Sequence, residues 1–536
     1  MKIIGFLLLL ASLLAGQEFD VLIRNGRVVD GTGKRPRVAD VAIRGDLIAA
    51  IGKLKSGTAK TVIDARGLVV APGFINMLSW APRTLETDGR AQSDIRQGVT
   101  LEVFGEGNSP GPEKNGPTLG QAMEALEKRG VAPNIASFVG ATSVRIHEVG
   151  FDDRAPTAEE LSRMQELVRQ AMREGALGVG SSLIYAPAFY AKTPELVALC
   201  QAAAPFHGMY ISHMRSEANQ FLEALDELMT IAREAKVPAE VYHLKAGGKA
   251  NWPKMDEALR RIERTRKQGL KITADMYLYT AGATGLNAAM PPWVQEGGAD
   301  AWFRRLQDPA IRAKVLDEMR KPTNDWENLM YLAGADGTLL LGFSNPNLKQ
   351  YQAKTLAEVA KLRGKSPEET AIDLVVEDRS RVETAYFLMS DANLKNQIKH
   401  KWVSLGSDAG APSAEGVFLE SHTHPRTYGN FARLFATYVR EEKVLSLQEA
   451  VRRLTGLPAG NLKIEKRGLL RQGFYADVVV FDPEKIQDHA TYEKPHQYAT
   501  GVRQVFVNGK QVLKDGEPTG VAAGRFVRGA GFAGRR

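Results

Sequence analysis

Four polar residues stand just past short apolar runs, hundreds of positions apart. His213 closes Gly208-Met-Tyr-Ile-Ser-His, His243 closes Ala239-Glu-Val-Tyr-His, and Asp408 closes Trp402-Val-Ser-Leu-Gly-Ser-Asp. Glu106 follows Val99-Thr-Leu-Glu-Val-Phe-Gly. In a barrel of parallel strands, residues just past the strand C-termini converge on one face however far apart they lie in sequence. Two imidazoles and a carboxylate meeting there can hold a zinc ion and leave one position open for water. Each residue also has a plainer reading. A lone strand-end histidine is usually tied to a backbone carbonyl, Glu106 alone is a solvated loop acid, and Asp408 lies beside the helix-capping types Ser407 and Ser413.

The convergence needs a scaffold, and the chain spells one out. Strand-like apolar runs fall at 73–78, 99–104, 134–140, 176–181, 208–213, 239–243, 271–276 and 402–407, with helical patterns between them. The segment 157–174, for example, carries Leu161, Met164, Leu167 and Met172 at helical spacing. Eight such units predict a (β/α)₈ barrel of the TIM type. The interval 278–401 is too long for one crossover and is read as an inserted subdomain at about 280–400, near the active face, before the last barrel strand. Both ends of the chain have a different grammar. Within 17–70, residues 19–70 alternate with period two, with Asn25-Gly26 and Gly45-Asp46 as expected hairpin turns, and the alternation returns within 461–536. The two ends are expected to form one small β-domain flanking a barrel at 71–460.

The 536 residues suffice for both domains, and 44% hydrophobic with 25% charged residues is an ordinary globular composition. The net charge of +8 is spread over helix faces beside acids, with only a short Gly-rich basic tail, and carries no nucleic-acid signature. Residues 1–16 resemble a secretory signal peptide, too short for a good membrane span, so export to the periplasm or exterior is expected. Cys200 is the single cysteine, which excludes an internal disulfide; its helical context makes it a small core residue.

With these residues in place the chain resembles the amidohydrolase superfamily, specifically its D-aminoacylase branch. The resemblance is carried, in order, by Val70-Ala-Pro-Gly-Phe-Ile, Gln97-Gly-Val-Thr, Gly105-Glu-Gly, Gly178-Val-Gly-Ser-Ser-Leu, Ser212-His-Met-Arg-Ser-Glu, His243-Leu-Lys, Ala274-Asp-Met-Tyr-Leu-Tyr, Gly406-Ser-Asp-Ala-Gly and His424-Pro-Arg-Thr-Tyr-Gly. It implies a distorted barrel with a β-sandwich made from both chain ends. It also implies a zinc site of Glu106, His213 and His243, with Asp408 as the catalytic acid–base group. Lys245, Tyr277 and Arg426 would clamp the α-carboxylate of a small N-acyl amino acid. One departure matters. Members usually carry His-x-His after the first barrel strand, where this chain has Leu78 and Trp80. Neither can ligate a metal, so one zinc per chain is expected, with Leu78 and Trp80 filling the space of a second as an apolar wall. His422 and His424 have a His-x-His spacing of their own but fall in an expected substrate loop. Cyclic amides or dipeptides as substrates, or a barrel that has lost catalysis and only binds small molecules, are the alternatives.

Overall fold

The computed structural model describes residues 18–54 and 57–535; the expected signal segment 1–16 lies outside them. Eight parallel strands form the barrel: Phe74–Asn76, Val99–Phe104, Asn134–Ser137 continued by Val139–Gly140, Gly178–Ser182, Met209–His213, Ala239–Val241, Ile272–Met276 and Val403–Leu405. Each pairs with the next in parallel register, for instance Ser182 opposite His213 and Ser212 opposite Val241. The last strand returns to the first through Met77 N–H to Leu405 O (3.2 Å) and a parallel bridge between Ser79 and Ala409. Almost every residue of these strands is buried on both faces, which is why they read as continuous apolar runs. Ile75, Met77, Leu78, Leu101, Val103, Phe138 and Ile211 fill the interior.

The helix at Ala158–Glu174 begins where Thr157 caps it: the hydroxyl accepts from Glu160 N–H, and the Glu160 carboxylate accepts from Thr157 N–H. Met164, Val168 and Met172 form its buried stripe. Cys200 is buried in the helix Thr193–Ala203. Among the described residues, no helix is long and apolar enough to cross a membrane.

Strands from both chain ends join in one nine-stranded sheet. Its seam is the antiparallel pair Val69–Pro72 and Val478–Phe481, so the strand leading into the barrel is held by the C-terminal part of the chain. Gly45-Asp46 turns the hairpin between Arg37–Arg44 and Leu47–Gly52. Asn25-Gly26 does not turn a hairpin. It is an irregularity within the strand Phe19–Val28, with Asn25 at φ +60° and its N–H on the Asp40 carboxylate at 2.8 Å. A Cβ at Gly26 would sit 2.3 Å from Val70, so the glycine there serves close packing of two strands. The stretch after Pro518, assigned from sequence to the β-domain, leaves the sheet and lies against the barrel. Ile135 N–H donates to Arg525 O and Val527 N–H donates to Ile135 O.

The insertion folds around a three-stranded antiparallel sheet, Gly282–Gly285, Glu383–Tyr386 and Thr338–Gly342, with Glu383–Tyr386 in the middle. The helices Ala299–Gln307, Pro309–Met319, Leu356–Arg363 and Pro367–Asp378 accompany it.

Candidate metal centre and active site

Glu106, His213 and His243 meet at the C-terminal face of the barrel, all buried. Glu106 Oε1 lies 3.1 Å from His213 Nδ1 and 2.9 Å from His243 Nε2, and the two nitrogens are 3.0 Å apart. A tetrahedral zinc with ligands at about 2.0–2.2 Å sets its donors roughly 3.3–3.6 Å apart. Two nitrogens and an anionic oxygen in so small a triangle therefore fit a zinc-sized ion, with a fourth direction left over.

Local backbone geometry makes this meeting possible. Gly105 (φ +110°) and Gly107 (φ +73°) flank Glu106, where a Cβ would strike Phe138 O at 2.6 Å or Ser182 at 2.5 Å. No other residue suits either position. His243 (φ +33°) and Asp408 (φ +51°) themselves lie in the left-handed region, a conformation that costs energy and is held by its surroundings. Asp275 Oδ1 accepts from His243 N–H at 2.9 Å, and Leu78 O accepts from Asp408 N–H at 2.9 Å.

Glu217 was not foreseen from sequence, yet it faces both imidazoles. Its Oε1 lies 2.9 Å from His243 Nδ1 and its Oε2 3.4 Å from His213 Nε2, the two nitrogens turned away from the triangle. The carboxylate thus fixes the ring orientation of His243, while His213 Nε2 is buried beside it without a hydrogen bond. Lys245, buried, donates to both Glu217 oxygens at 2.8 and 2.7 Å and approaches His243 Nδ1 at 2.6 Å. Its charge is committed to Glu217 as well as facing the expected carboxylate clamp. Burial and Lys245 push the His243 imidazole down, but Glu217 and Glu106 outweigh them and raise it to about 10. Burial pushes the Glu106 carboxyl up, and His243 and His213 pull it well below its ordinary range.

Asp408 is joined to the triangle through Trp80, whose indole N–H lies between it and Glu106. Its Oδ2 forms a 2.8 Å ion pair with Arg426 Nη1, and its Oδ1 accepts from Trp80 Nε1–H at 3.1 Å. Burial lifts Asp408 above its usual range despite the guanidinium of Arg426. Arg426 lies 4.4 Å from the Tyr277 ring centroid and Lys245 Nζ 5.8 Å from it, so the three residues expected to bind a carboxylate cluster about one ring. The Tyr277 hydroxyl faces Met389 S at 3.4 Å.

The His422/His424 pair turns elsewhere. His424 Nε2 is 3.0 Å from Ala281 O, and its Nδ1 accepts from Arg426 N–H at 3.0 Å, so both nitrogens are occupied by structure. Leu78 is buried in the barrel's apolar filling. Trp80 departs from the apolar wall expected of it: its indole N–H reaches Glu106 Oε2 at 2.9 Å as well as Asp408. Behind Glu217, a cavity of about 460 Å³ is lined by Arg215, Glu223, Glu227, Trp326 and Tyr331 among others.

The model of the amidohydrolase family matches residues 61–513. The D-aminoacylase of Alcaligenes xylosoxydans xylosoxydans is 32% identical over 529 residues, covering 95% of this chain and 98% of that one. A D-aminoacylase whose binuclear centre is activated by one metal and attenuated by a second superposes with a TM-score of 0.79 at 30% identity, covering 95% of this chain and all of that one. The N-acyl-D-glutamate deacylase of Bordetella bronchiseptica, solved with zinc and a phosphonate mimic of the tetrahedral intermediate, gives 0.79 at 29% identity, covering 95% and 99%. A barrel whose candidate metal-ligating side chains gather at one rim, in a chain matched over 95% of its length by such relatives, belongs to the amidohydrolase family, in its D-aminoacylase branch.

Proposed function

We propose that this protein hydrolyses the amide bond of an N-acyl-D-amino acid, or a close relative of one, with a single zinc ion per chain. The observation that carries the reading is the triangle of Glu106 Oε1, His213 Nδ1 and His243 Nε2 with Asp408 beside it. The zinc of the Bordetella deacylase and the acyl-D-amino-acid names of the relatives support it. When bound there, zinc supplies Lewis acidity, polarising an amide carbonyl and acidifying water. Glu217 holds the His243 imidazole in the orientation that presents Nε2 to the ion. Asp408, its proton affinity raised by burial, accepts the proton of the attacking water and delivers it to the leaving nitrogen. Arg426, with Tyr277 beneath its guanidinium, offers the remaining donors to the substrate's α-carboxylate.

The test is metal analysis of the purified protein together with a hydrolysis screen over N-acetyl-D- and N-acetyl-L-amino acids. One zinc per chain and D-selective release of the free amino acid is the expected result. Protein that takes up no metal and releases no amino acid from any of them overturns the reading. The apolar leader at 1–16 supports export, which fractionation of expressing cells checks by finding the processed chain outside the cytoplasm.

A further inference from the structure

We infer that Trp80 is a positioning residue that fills, with a neutral hydrogen-bond donor, the point between Glu106 and Asp408 where a second cation would otherwise sit. The inference rests on the one-zinc amidohydrolase reading of the same site. Glu106 turns Oε1 toward the histidines and Oε2 away from them, and Oε2 lies 2.9 Å from the indole nitrogen of Trp80. Asp408 Oδ1 lies 3.1 Å from that same nitrogen. Two carboxylate oxygens converging on one point from separate strand ends make a natural place for a divalent ion. An indole cannot be such an ion's ligand: its nitrogen is a donor only, with no lone pair to give.

The donor has two consequences for the chain's own groups. It offsets the mutual repulsion of two buried acids without adding a charge. It also leaves Asp408 held at both oxygens, by Trp80 at Oδ1 and by the ion pair with Arg426 at Oδ2, so that the carboxylate cannot rotate about its terminal bond. The backbone that carries the indole is well anchored. The main-chain N–H of Trp80 donates to Ala409 O at 2.9 Å, on the seam that closes the barrel, and that of Ser79 donates to Val103 O at 2.9 Å. Trp80 is nevertheless 41% exposed, so it stands between these two carboxylates and solvent.

Trp80→Phe keeps a flat apolar ring and removes the N–H; Trp80→His puts a ligating nitrogen in its place. With zinc-loaded protein, Trp80→Phe is expected to lower kcat by about 10- to 100-fold, the cost of removing an outer hydrogen bond from a metal site, while KM and the single zinc per chain are unchanged. In excess zinc, after removal of unbound metal, the wild type should retain one ion and Trp80→His two. Wild-type kcat in Trp80→Phe, or a fall confined to KM, overturns the positioning role. A second ion retained by the wild type, or a single ion in Trp80→His, overturns the blocked cation point. Failure of the underlying reading shows itself differently, as wild-type protein with neither zinc nor hydrolysis, and that result overturns the inference as well.

Discussion

Each histidine of the candidate centre turns one nitrogen to the ion's position, and His243 gives its other to Glu217, so removal of either imidazole should cost the metal. His213→Ala and His243→Ala are expected to lose zinc and hydrolysis while keeping the fold, checked by metal analysis beside circular dichroism; full zinc occupancy in either refutes the ligand assignment. Asp408→Asn keeps the shape but cannot accept a proton, and turnover should fall by roughly 10²–10⁴ with zinc retained. Protons compete with metal here. His243 without metal holds its proton up to about 10, so binding must expel it, and apparent zinc affinity should weaken as pH falls below that value. Competition against a chelator across a pH series measures this; a flat profile would contradict the crowding of His243 by two carboxylates. The meeting of Glu106, His213 and His243 was legible in the sequence because residues just past parallel strand ends converge on one rim of a barrel. Glu217 was not. It lies four residues past His213 in Ser212-His-Met-Arg-Ser-Glu, but a loop spans that distance, and no periodicity announces that a loop folds back. Trp80 was read by its ring, and the nitrogen at the ring's edge is what the site uses.

At the scale of elements, the eight strands could be read because parallel strands covered on both faces need unbroken apolar runs. The same runs hide their acids. Glu240 lies fully buried in Ala239–Val241, where its carboxyl group meets Thr273, Asn461 Nδ2 at 3.1 Å and Ser404 at 3.5 Å. Burial pushes it from 4.5 up to about 7. The folded chain therefore keeps this proton through a range in which the unfolded chain has lost it, and stability falls as pH rises from about 4.5 to about 7, by up to about 1.4 kcal/mol per pH unit. Glu240→Gln removes that term, so the Tm of the variant relative to wild type should climb between about pH 5 and pH 8, as thermal melts at the two pH values would record. A constant difference would mean that Glu240 titrates normally. The insertion was legible as an interruption of the barrel's rhythm. Its sheet was not, because Gly282–Gly285 is a run of small residues whose strand character comes from pairing with Glu383–Tyr386 rather than from any pattern of its own.

Over the whole molecule, the β-domain and the barrel are joined by segments that sequence alone assigns to one or the other. Phe526, 5% exposed, packs in the main core with its N–H on the Glu127 carboxylate at 2.9 Å, far from the candidate site in sequence and at no point touching its ligands. Phe526→Ala should destabilise the protein by roughly 3–5 kcal/mol without altering the zinc count; denaturant titration and metal analysis test the two halves of that statement. A midpoint equal to wild type would show that the tail is only draped on the barrel. Alternation at both ends was readable, but the departure of the tail from the sheet was not, since one strand of alternating residues pairs as well with a barrel rim as with a sheet edge.

The seam between Val69–Pro72 and Val478–Phe481, together with the docking of Arg525 and Val527 on Ile135, sets an order of events during synthesis. A nascent chain that has emerged only as far as Gly460 already contains Glu106, His213, His243 and Asp408, yet the strand that leads into its barrel has no partner on one side, and the third barrel strand lacks its last two backbone bonds. Pairings of such long sequence separation form late and slowly. Until residues 478–527 have emerged, the rim that carries these side chains is assembled on an unlocked base, and those residues act as the clasp.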